Sequence, residues 1–242
     1  MKKAIFCDFY GTLVHENGPI SLEVVGRVAE SCGAAPEDVV AFWWERFGAL
    51  SARCCGVDFR TRYDIAVESF QETVERFGSP EDPRALTDRM VEHWCAPPLY
   101  EDARAFLEAA PAPVYLVTNS DDHFVEEALR RYGLPVAGAV TSQAARYAKP
   151  RPEIFRFALE RYGLRPGETV HLGDSLAGDV ETPRALGIRA LWLNRKGKPV
   201  PPGVEAAENL RRQLKEYLEE ATKMKLELSE AKREIFKLQS RK

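Results

Sequence analysis

The sequence predicts a doubly wound α/β fold, with a Rossmann-like parallel sheet, an inserted α-helical cap and a C-terminal helix. Three observations support this prediction. Short apolar runs alternate with helical patterns through residues 113–193. About a hundred residues of almost wholly helical pattern separate the first apolar run from the second. From residue 205 onward the apolar residues take the spacing of a long amphipathic helix.

Five apolar runs are predicted to be strands buried on both faces of the sheet, because they lack a regular alternation of apolar and polar residues. They are residues 3–8, 113–118, 137–141, 169–173 and 189–193. The helical patterns between the later runs are residues 121–132, 152–162 and 178–186. A glycine follows each of these patterns, and glycine commonly ends helices. The order strand, helix, strand therefore recurs along this part of the chain.

The segment between the first and second strands contains the predicted cap. Its helical patterns are residues 21–32, 36–52, 60–77, 84–95 and 100–109. We assign the last of them to the sheet domain, which then comprises residues 1–17 and 97–204, and we assign residues 18–96 to the cap. Because the insert follows the carboxyl end of the first strand, we expect it to cover the site as a lid. A purely structural insertion is the alternative.

Residues 205–242 are predicted to form an amphipathic helix of their own. Apolar residues from Leu210 to Leu238 follow a 4-3-4-3 spacing, with glutamates at the g positions and lysines at most of the following e positions. This arrangement is typical of a parallel two-stranded coiled coil and predicts a possible homodimer through residues 205–242. Two alanines and a tyrosine in the apolar seam leave open a single helix packed on its own domain, or a frayed one.

Net charge and hydropathy argue against several kinds of partner. The formal net charge is −3 and long runs of Lys or Arg are absent, which argues against a nucleic-acid or anionic-membrane partner. No apolar stretch approaches the ~20 residues of a membrane span, and the first residues lack the apolar core of a signal peptide. We therefore expect a cytoplasmic protein, in which Cys54 and Cys55 are reduced, mostly buried thiols.

Polar residues and a turn stand at or just beyond the predicted strand ends. They are Asp8, Gly11, Thr12, Thr118, Asn119, Lys149, Asp174 and Asp179. In a doubly wound sheet the carboxyl ends of the strands form the ligand crevice, so we expect these residues to converge. His171, inside the fourth predicted strand, is interpreted instead as a core histidine.

The expected cluster has the chemistry of a phosphate site. Crowded carboxylates repel one another unless a cation joins them, and Mg²⁺ is the natural candidate, held by hard oxygens, water and a substrate phosphate. Lys149, the Thr118 hydroxyl and the turn amides near residues 9–12 would supply donors for phosphate oxygens. A carboxylate facing the phosphorus could attack it in line and form an aspartyl phosphate.

Four segments, in order along the chain, resemble the motifs of the haloacid dehalogenase superfamily, in its subgroup with a helical cap after the first strand. They are DFYGT (8–12), LVTNS (116–120), KPRPEIF (149–155) and GDSLAGD (173–179). The resemblance covers roughly residues 1–200. It implies that Asp8 is the nucleophile and that Asp8, the Tyr10 backbone carbonyl, Asp174 and Asp179 hold Mg²⁺. It also implies that Thr118 binds the phosphoryl group and that Lys149 orients Asp8.

Tyr10 departs from the phosphatase pattern, in which a second aspartate protonates the leaving oxygen. In having a tyrosine at this position the chain resembles the L-2-haloacid dehalogenases. In the reaction of those enzymes the halide leaves the substrate without needing a proton. The aspartates of the fourth motif point to a metal, which those dehalogenases do not use, and their cap arginine has no counterpart near Val39 and Val40. We therefore favour a Mg²⁺-dependent phosphatase acting on a small phosphorylated metabolite. A metal-independent dehalogenase and a catalytically weak interaction protein remain alternatives.

The sequence leaves the substrate and the missing acid unnamed. His15 or Glu16 could replace the acid, or the substrate could have a good leaving group such as an acyl or aryl phosphate. Arg53, Arg60 and Arg62, near a predicted cap loop, are candidates to meet an anionic substrate. Trp43 and Trp44 are interpreted as helix core rather than pocket.

Overall fold

The computed structural model describes residues 2–213 together with Lys215, Glu219 and Lys223. Within this part of the chain, six parallel strands form one sheet in the order β3-β2-β1-β4-β5-β6. The strands are β1 (Ala4–Cys7), β2 (Val114–Thr118), β3 (Gly138–Thr141), β4 (Thr169–Gly173), β5 (Arg189–Leu193) and β6 (Glu205–Ala207). This parallel sheet with its helices confirms the predicted α/β fold class.

The position of β1 in the sheet determines where a ligand can enter. The chain leaves β1 for β2 and β3 on one side, then returns to place β4 and β5 on the other side. In register, Ile5 of β1 faces Val114 of β2 and Val170 of β4. The strand order therefore reverses between β1 and β4, and the crevice at such a switch point binds ligands in doubly wound sheets.

Residues 18–96, all described, form four α-helices. They are α1 (Pro19–Cys32), α2 (Pro36–Arg53), α3 (Arg62–Phe77) and α4 (Pro83–Cys95). Proline begins three of them, where its missing amide is not needed and its φ suits a helix. The segments that lead into and out of this insert pair with each other through an isolated antiparallel β-bridge between Val14 and Leu99. The helix bounds agree with the predicted ones to within two residues.

The helices of the sheet domain complete the layers on both sides of the sheet. They are α5 (Ala103–Ala109), α6 (Asp122–Tyr132), α7 (Ser142–Ala145), α8 (Pro152–Arg161) and α9 (Thr182–Ala185). The predicted helix at residues 178–186 is instead a π-helical turn, Leu176–Glu181, followed by α9. Pro183 has no amide hydrogen to donate to a preceding carbonyl, so it interrupts regular α-helical bonding there.

Apolar side chains of the sheet pack on both of its faces. On one face Ile5 and Phe9 join a buried cluster that continues into the cap through Trp43, Phe70 and Trp94. On the other face Phe6 packs with Val117 and with Phe155 of α8. Trp43 is 3% exposed and stacks on Phe70, which confirms its assignment to the core. The cap and the sheet domain therefore share a continuous apolar core.

The sixth strand corrects the predicted start of the C-terminal helix. Residues 205–207 pair with β5, with Leu191 opposite Glu205 and Leu193 opposite Ala207, instead of being helical. Helical geometry begins at Leu210, after Asn209, whose side chain accepts a hydrogen bond from the Arg212 amide. Asparagine is a favoured residue at this capping position, which explains the later start. Most of the predicted coiled coil lies outside the described residues.

No helix in the described part of the chain combines the length and the apolar character that crossing a membrane requires.

Candidate active site

Asp8 stands at the carboxyl end of β1, in a tight turn that the sequence imposes. The Phe9 carbonyl accepts hydrogen bonds from the amides of Leu13 (2.9 Å) and Val14 (3.1 Å). Gly11 has a φ of +85°, and a Cβ there would lie 2.5 Å from a carboxylate oxygen of Asp174. Glycine is therefore required twice, for the left-handed backbone and for the approach of the second carboxylate.

Lys149 links the carboxylates of two distant segments. Its Nζ lies 2.6 Å from Asp8 Oδ1 and 2.6 Å from Asp179 Oδ1. Asp179 also accepts hydrogen bonds from His171 Nε2 (2.8 Å) and from the Ser175 amide (3.0 Å). His171 is fully buried, as predicted for a core histidine, but its partner belongs to the site.

Asp174 completes a cluster of three carboxylates. Among the described residues, Asp8, Asp174 and Asp179 offer oxygens that all lie within 4.8 Å of one another. Trp192 Nε1 donates to the Asp174 backbone carbonyl at 2.8 Å and so fixes this residue's main chain. Gly173 makes room for the cluster, because a Cβ there would lie 2.2 Å from the carboxylate carbon of Asp179.

One ammonium group is too little to balance these three carboxylates. Burial raises the pKa of Asp8 to about 6, with the repulsion of Asp179 adding to the shift and Lys149 opposing it. Burial and the charges of Asp8 and Asp179 raise the pKa of Asp174 to about 7. Burial alone would also raise the pKa of Asp179, but Lys149 and His171 outweigh it and lower that pKa. The three carboxylate groups thus suit a divalent cation, which prefers hard oxygen ligands.

The structure brings the other predicted phosphate-binding residues to the same strand ends, with different partners. Thr118 and Asn119 line the pocket in front of Asp8. Asn119 also holds the main chain of Lys149, since its Oδ1 accepts from the Lys149 amide (2.7 Å) and its Nδ2 donates to the Lys149 carbonyl (2.8 Å). Thr12 is buried, with its hydroxyl 3.4 Å from Asp8 Oδ2.

Tyr10 uses its hydroxyl to join the turn after Asp8 to the inserted helices. The hydroxyl donates to the Trp94 backbone carbonyl of α4 at 2.8 Å, and the side chain is 8% exposed. Burial raises the pKa of Tyr10 well above its usual value, against the opposing charge of Arg62. A phenol that donates to a buried carbonyl and resists ionisation is poorly placed to exchange protons with a substrate.

A cavity of about 560 Å³ lies between the sheet domain and the cap. The cap side of its wall is aromatic and basic. Its members there include Trp44, Phe47, Phe59, Arg60, Arg62, Cys54 and Cys55. Trp44 is therefore a pocket residue as well as a core neighbour, and the two cysteines are half-buried rather than mostly buried.

The arginines of the cap differ in what holds them. Arg60 pairs with Glu68, and Arg46 pairs with Glu72 on the cap, so both are balanced by an acid. Arg62 instead donates to the Asn119 carbonyl at 2.9 Å, and its guanidinium lies 4.7 Å from the Trp94 ring centroid. The sequence placed Arg62 near a predicted cap loop but could not predict these contacts, because Asn119 and Trp94 belong to distant segments of the chain.

A sheet-domain carboxylate caps a helix of the insert. Asp121 follows the Thr118–Ser120 segment and accepts hydrogen bonds from the amides of Arg62 (2.7 Å) and Tyr63 (3.0 Å), the first two residues of α3. Burial raises the pKa of Asp121. Asp121 was not among the residues predicted for the site, because its partners in α3 lie 59 and 58 positions away in the sequence.

His15 and Glu16 lie in different places relative to the pocket. The His15 ring packs on Tyr100 at 3.8 Å between centroids and lines a smaller neighbouring cavity of about 210 Å³. Glu16 is exposed and lines both cavities. Of the two sequence candidates for a replacement acid, Glu16 is thus the one that borders the pocket beside Asp8.

Comparisons with known proteins find a matching sequence family and several similar enzymes. Residues 2–187 match the sequence profile of haloacid dehalogenase-like hydrolases. A phosphoserine phosphatase from Thermus thermophilus is 34% identical over 148 residues, which cover 59% of this chain and 59% of that enzyme. This match therefore spans less than two thirds of that relative's length.

Dehalogenases are also similar over a longer part of the chain. The (S)-2-haloacid dehalogenase 4A of Burkholderia cepacia is 25% identical over 203 residues, which cover 81% of this chain and 85% of that enzyme. The structure of L-2-haloacid dehalogenase from Xanthobacter autotrophicus superposes with a TM-score of 0.72 at 18% identity, covering 89% of this chain and 98% of that one. The structural likeness shows a shared fold.

Proposed function

Because this chain belongs to the haloacid dehalogenase-like hydrolase family, we propose that it is a Mg²⁺-dependent phosphatase of small phosphomonoesters. The observation that carries this proposal is the cluster of Asp8, Asp174 and Asp179, whose oxygens lie within 4.8 Å of one another beside a single lysine. An arrangement with this excess of negative charge would repel an anionic substrate unless a cation balanced it.

The residues of the cluster fit a magnesium ion. Asp179 accepts hydrogen bonds from Lys149, His171 and the Ser175 amide, whereas the Asp174 side chain accepts none within the described part of the chain. We therefore expect Asp8, Asp174 and the Tyr10 backbone carbonyl to offer the more readily available oxygens, with Asp179 supporting them. When bound, the ion would neutralise charge on the carboxylates and on the substrate phosphate.

Asp8 is the proposed nucleophile. A carboxylate oxygen would form a bond to phosphorus while the bond from phosphorus to the leaving oxygen breaks, and that oxygen would depart with the electron pair. Lys149 holds the carboxylate in place and keeps it ionised. Water would then hydrolyse the aspartyl phosphate, release phosphate and return Asp8 to its starting state. Thr118 and Asn119 line the space in which the phosphoryl group would lie.

The setting of Tyr10 bears on the choice of substrate. Its hydroxyl is hydrogen-bonded to Trp94, so the leaving oxygen would receive little help from a proton at this position. Loss of general acid catalysis typically lowers a rate about 10²- to 10⁴-fold, most severely for leaving groups of high pKa. We therefore propose substrates whose leaving group is stable as an anion, such as acyl or aryl phosphates.

A panel of phosphate esters, together with an acyl phosphate, tests this proposal. We expect phosphate release from p-nitrophenyl phosphate and acetyl phosphate that requires Mg²⁺, stops with a chelator and is lost in Asp8→Asn. Alkyl phosphates should react more slowly than these two. Absence of phosphate release from all of them, with or without Mg²⁺, would contradict the proposal.

An L-2-haloacid dehalogenase is the second candidate, and Tyr10 is the observation that favours it. In that reaction Asp8 would displace a halide from carbon, and the departing halide would need no proton. Chloride release from 2-chloropropionate that persists with a chelator, in a protein that releases no phosphate, would support this candidate over the phosphatase.

A further inference from the structure

Arg195, in the loop after β5, joins three segments of the chain that are far apart in sequence. Its Nη2 lies 2.9 Å from Asp102 Oδ1, and its Nη1 lies 3.1 Å from Asp102 Oδ2. The same Nη2 donates to the Thr12 backbone carbonyl at 2.8 Å. A fork of guanidinium donors on one carboxylate fixes the orientation of the side chain, which a single bond would leave free.

The aromatic ring of Tyr100 supports this arginine. The guanidinium carbon lies 3.8 Å from the centroid of the ring, and the His15 ring packs against Tyr100 as well. The Arg195 side chain is 14% exposed and the Asp102 side chain 7%. The ion pair is therefore largely buried. In a buried setting, the geometry and the charge balance of an ion pair affect stability more than they do at the surface.

Asp102 has a second partner, at the beginning of the C-terminal helix. The backbone amide of Leu210 donates to Asp102 Oδ2 at 2.8 Å, and the Leu210 side chain is fully buried. Leu210 is the first helical residue after the capping residue Asn209. A continuous series of bonds thus runs from the first turn of this helix through Asp102 and Arg195 to Thr12.

Thr12 lies in the turn that holds the nucleophile. Its hydroxyl is 3.4 Å from Asp8 Oδ2 and its amide is 3.3 Å from the Phe9 carbonyl. The neighbouring Gly11 approaches the Asp174 carboxylate so closely that a single added Cβ would clash with it. Since the turn has so little room, a displaced Thr12 carbonyl would move Asp8 relative to its reaction partner.

We propose that Arg195 is a positioning residue for the nucleophile turn, and that Asp102 and the Leu210 amide set the position of Arg195. The first turn of the C-terminal helix thereby takes part in the geometry of Asp8. This proposal rests on the proposed function only in that Asp8 is the nucleophile, a role that Asp8 has in both candidate reactions.

The first test separates positioning from general stability. In Arg195→Ala we expect kcat for p-nitrophenyl phosphate to fall on the order of 10- to 100-fold, as for small misplacements of reacting groups, with KM nearly unchanged. Millimolar guanidinium chloride should restore part of kcat, because Arg195 borders a cavity of about 210 Å³ through which a small cation can enter. Arg184→Ala is the matched control, since Arg184 is exposed and also donates to a backbone carbonyl, that of Gly203 at 2.9 Å.

The second test needs no turnover. Hydrogen exchange of the peptide that covers residues 9–14 should quicken in Arg195→Ala, because the amides of Leu13 and Val14 report the closed turn. The same peptide should exchange at the wild-type rate in Arg184→Ala.

A pair of variants at Leu210 tests the far end of the series. Leu210→Pro and Leu210→Ala both remove the buried side chain, but only the proline removes the amide that Asp102 accepts. Proline is tolerated at the first helical position, so the helix itself should persist. We expect exchange of residues 9–14 to quicken, and kcat to fall, more in Leu210→Pro than in Leu210→Ala.

The outcomes distinguish this proposal from the proposed function. Wild-type exchange in residues 9–14 and wild-type kcat in Arg195→Ala would overturn the positioning role, whichever reaction the enzyme performs. Equal behaviour of the two Leu210 variants would overturn the part played by the helix. If the wild type releases chloride from 2-chloropropionate and no phosphate, the phosphatase proposal fails, and the same kcat comparison is made with chloride release.

Discussion

The Tyr10 hydroxyl donates a hydrogen bond to the Trp94 backbone carbonyl at 2.8 Å, and so ties the nucleophile turn to the last turn of cap helix α4. Related phosphatases are expected to carry a proton donor at this position. In this chain the residue there links the sheet domain to the inserted helices instead.

Tyr10→Phe should reveal which role dominates. We expect turnover to stay within about threefold of wild type, far from the 10²- to 10⁴-fold loss typical of a removed general acid. We also expect lower stability, by roughly 1–3 kcal/mol, because the Trp94 carbonyl loses its donor in a buried setting. Steady-state kinetics and thermal unfolding measure the two effects. A loss of more than a hundredfold in kcat at unchanged stability would show instead that the phenol transfers a proton.

The glycine before Asp174 offers a second test of the carboxylate cluster. In Gly173→Ala the new Cβ would lie 2.2 Å from the carboxylate carbon of Asp179, so that carboxylate must move. We expect activity to fall on the order of 10²-fold while the protein remains folded, as judged by circular dichroism.

Gly26→Ala is the matched control, since Gly26 lies in α1 and a Cβ there meets no atom within 4 Å. This substitution should leave activity unchanged and stabilise the protein by about 0.5–1 kcal/mol, because alanine loses less conformational freedom in a helix. Equal activity of both variants would mean that the position of Asp179 does not matter for turnover.

In the metal-free protein, Asp8 and Asp174 should contribute less to stability as the pH rises. Burial raises the pKa of Asp8 from 3.8 to about 6 and that of Asp174 from 3.8 to about 7. In this window the folded state holds protons on Asp8 and Asp174 that the unfolded state has lost, so the contribution of these two groups to the free energy of unfolding decreases from about pH 4 to about pH 7. His171 acts in the opposite direction, because burial lowers its pKa. The pKa of Asp179 is lowered, so protonation of that group affects the free energy of unfolding only in more acidic solution. Thermal unfolding in a chelator at several pH values measures the trend.

Asp174→Asn provides the control for this pH dependence. The variant should lose part of the decrease and unfold at a higher temperature than wild type near neutral pH, in the absence of metal. Added Mg²⁺ should raise the unfolding temperature of wild type near neutral pH and have much less effect on Asp174→Asn. A difference between the unfolding temperatures of Asp174→Asn and wild type that does not widen as the pH rises in the chelator would contradict the expected repulsion among the three carboxylates.

Self-association is a prediction from the C-terminal spacing. Light scattering should give a dimer for the full chain and a monomer for a chain that ends after Gln213. The truncation point follows from the structure, because β6 and the bond between Leu210 and Asp102 must both be kept. A dimer that survives this truncation would place the contact elsewhere on the molecule.

Patterns local in sequence predicted the fold and the main groups of the site well. The apolar runs marked β1 to β5, and the four motifs located Asp8, Lys149, Asp174 and Asp179, which the structure brings together. Three-residue β6 escaped notice because Glu205–Ala207 lacks the β-branched residues typical of strands, and its pairing with β5 alone defines it.

Contacts between distant segments could not be predicted in this way. Arg195 and Thr12 are 183 positions apart, and Tyr10 and Trp94 are 84 apart. In each pair the acceptor is a backbone carbonyl, which every residue carries, so the sequence holds no sign of the choice. Only the folded arrangement of the sheet and the insert determines which carbonyl comes within reach.

The bond between Asp121 and the start of α3 would couple any movement of the insert to the order of its own helix end. The first two amides of α3 depend on a carboxylate of the other domain, whereas the third is capped by Thr61 within the insert. If the insert acts as the predicted lid and the domains part to admit a substrate, those two amides would bond to water instead, and a capping interaction of about 0.5–2 kcal/mol would be lost. Arg62 sits at that same helix end, so each opening would loosen the residue beside Tyr10, and each closure would restore the wall of the pocket as it shuts.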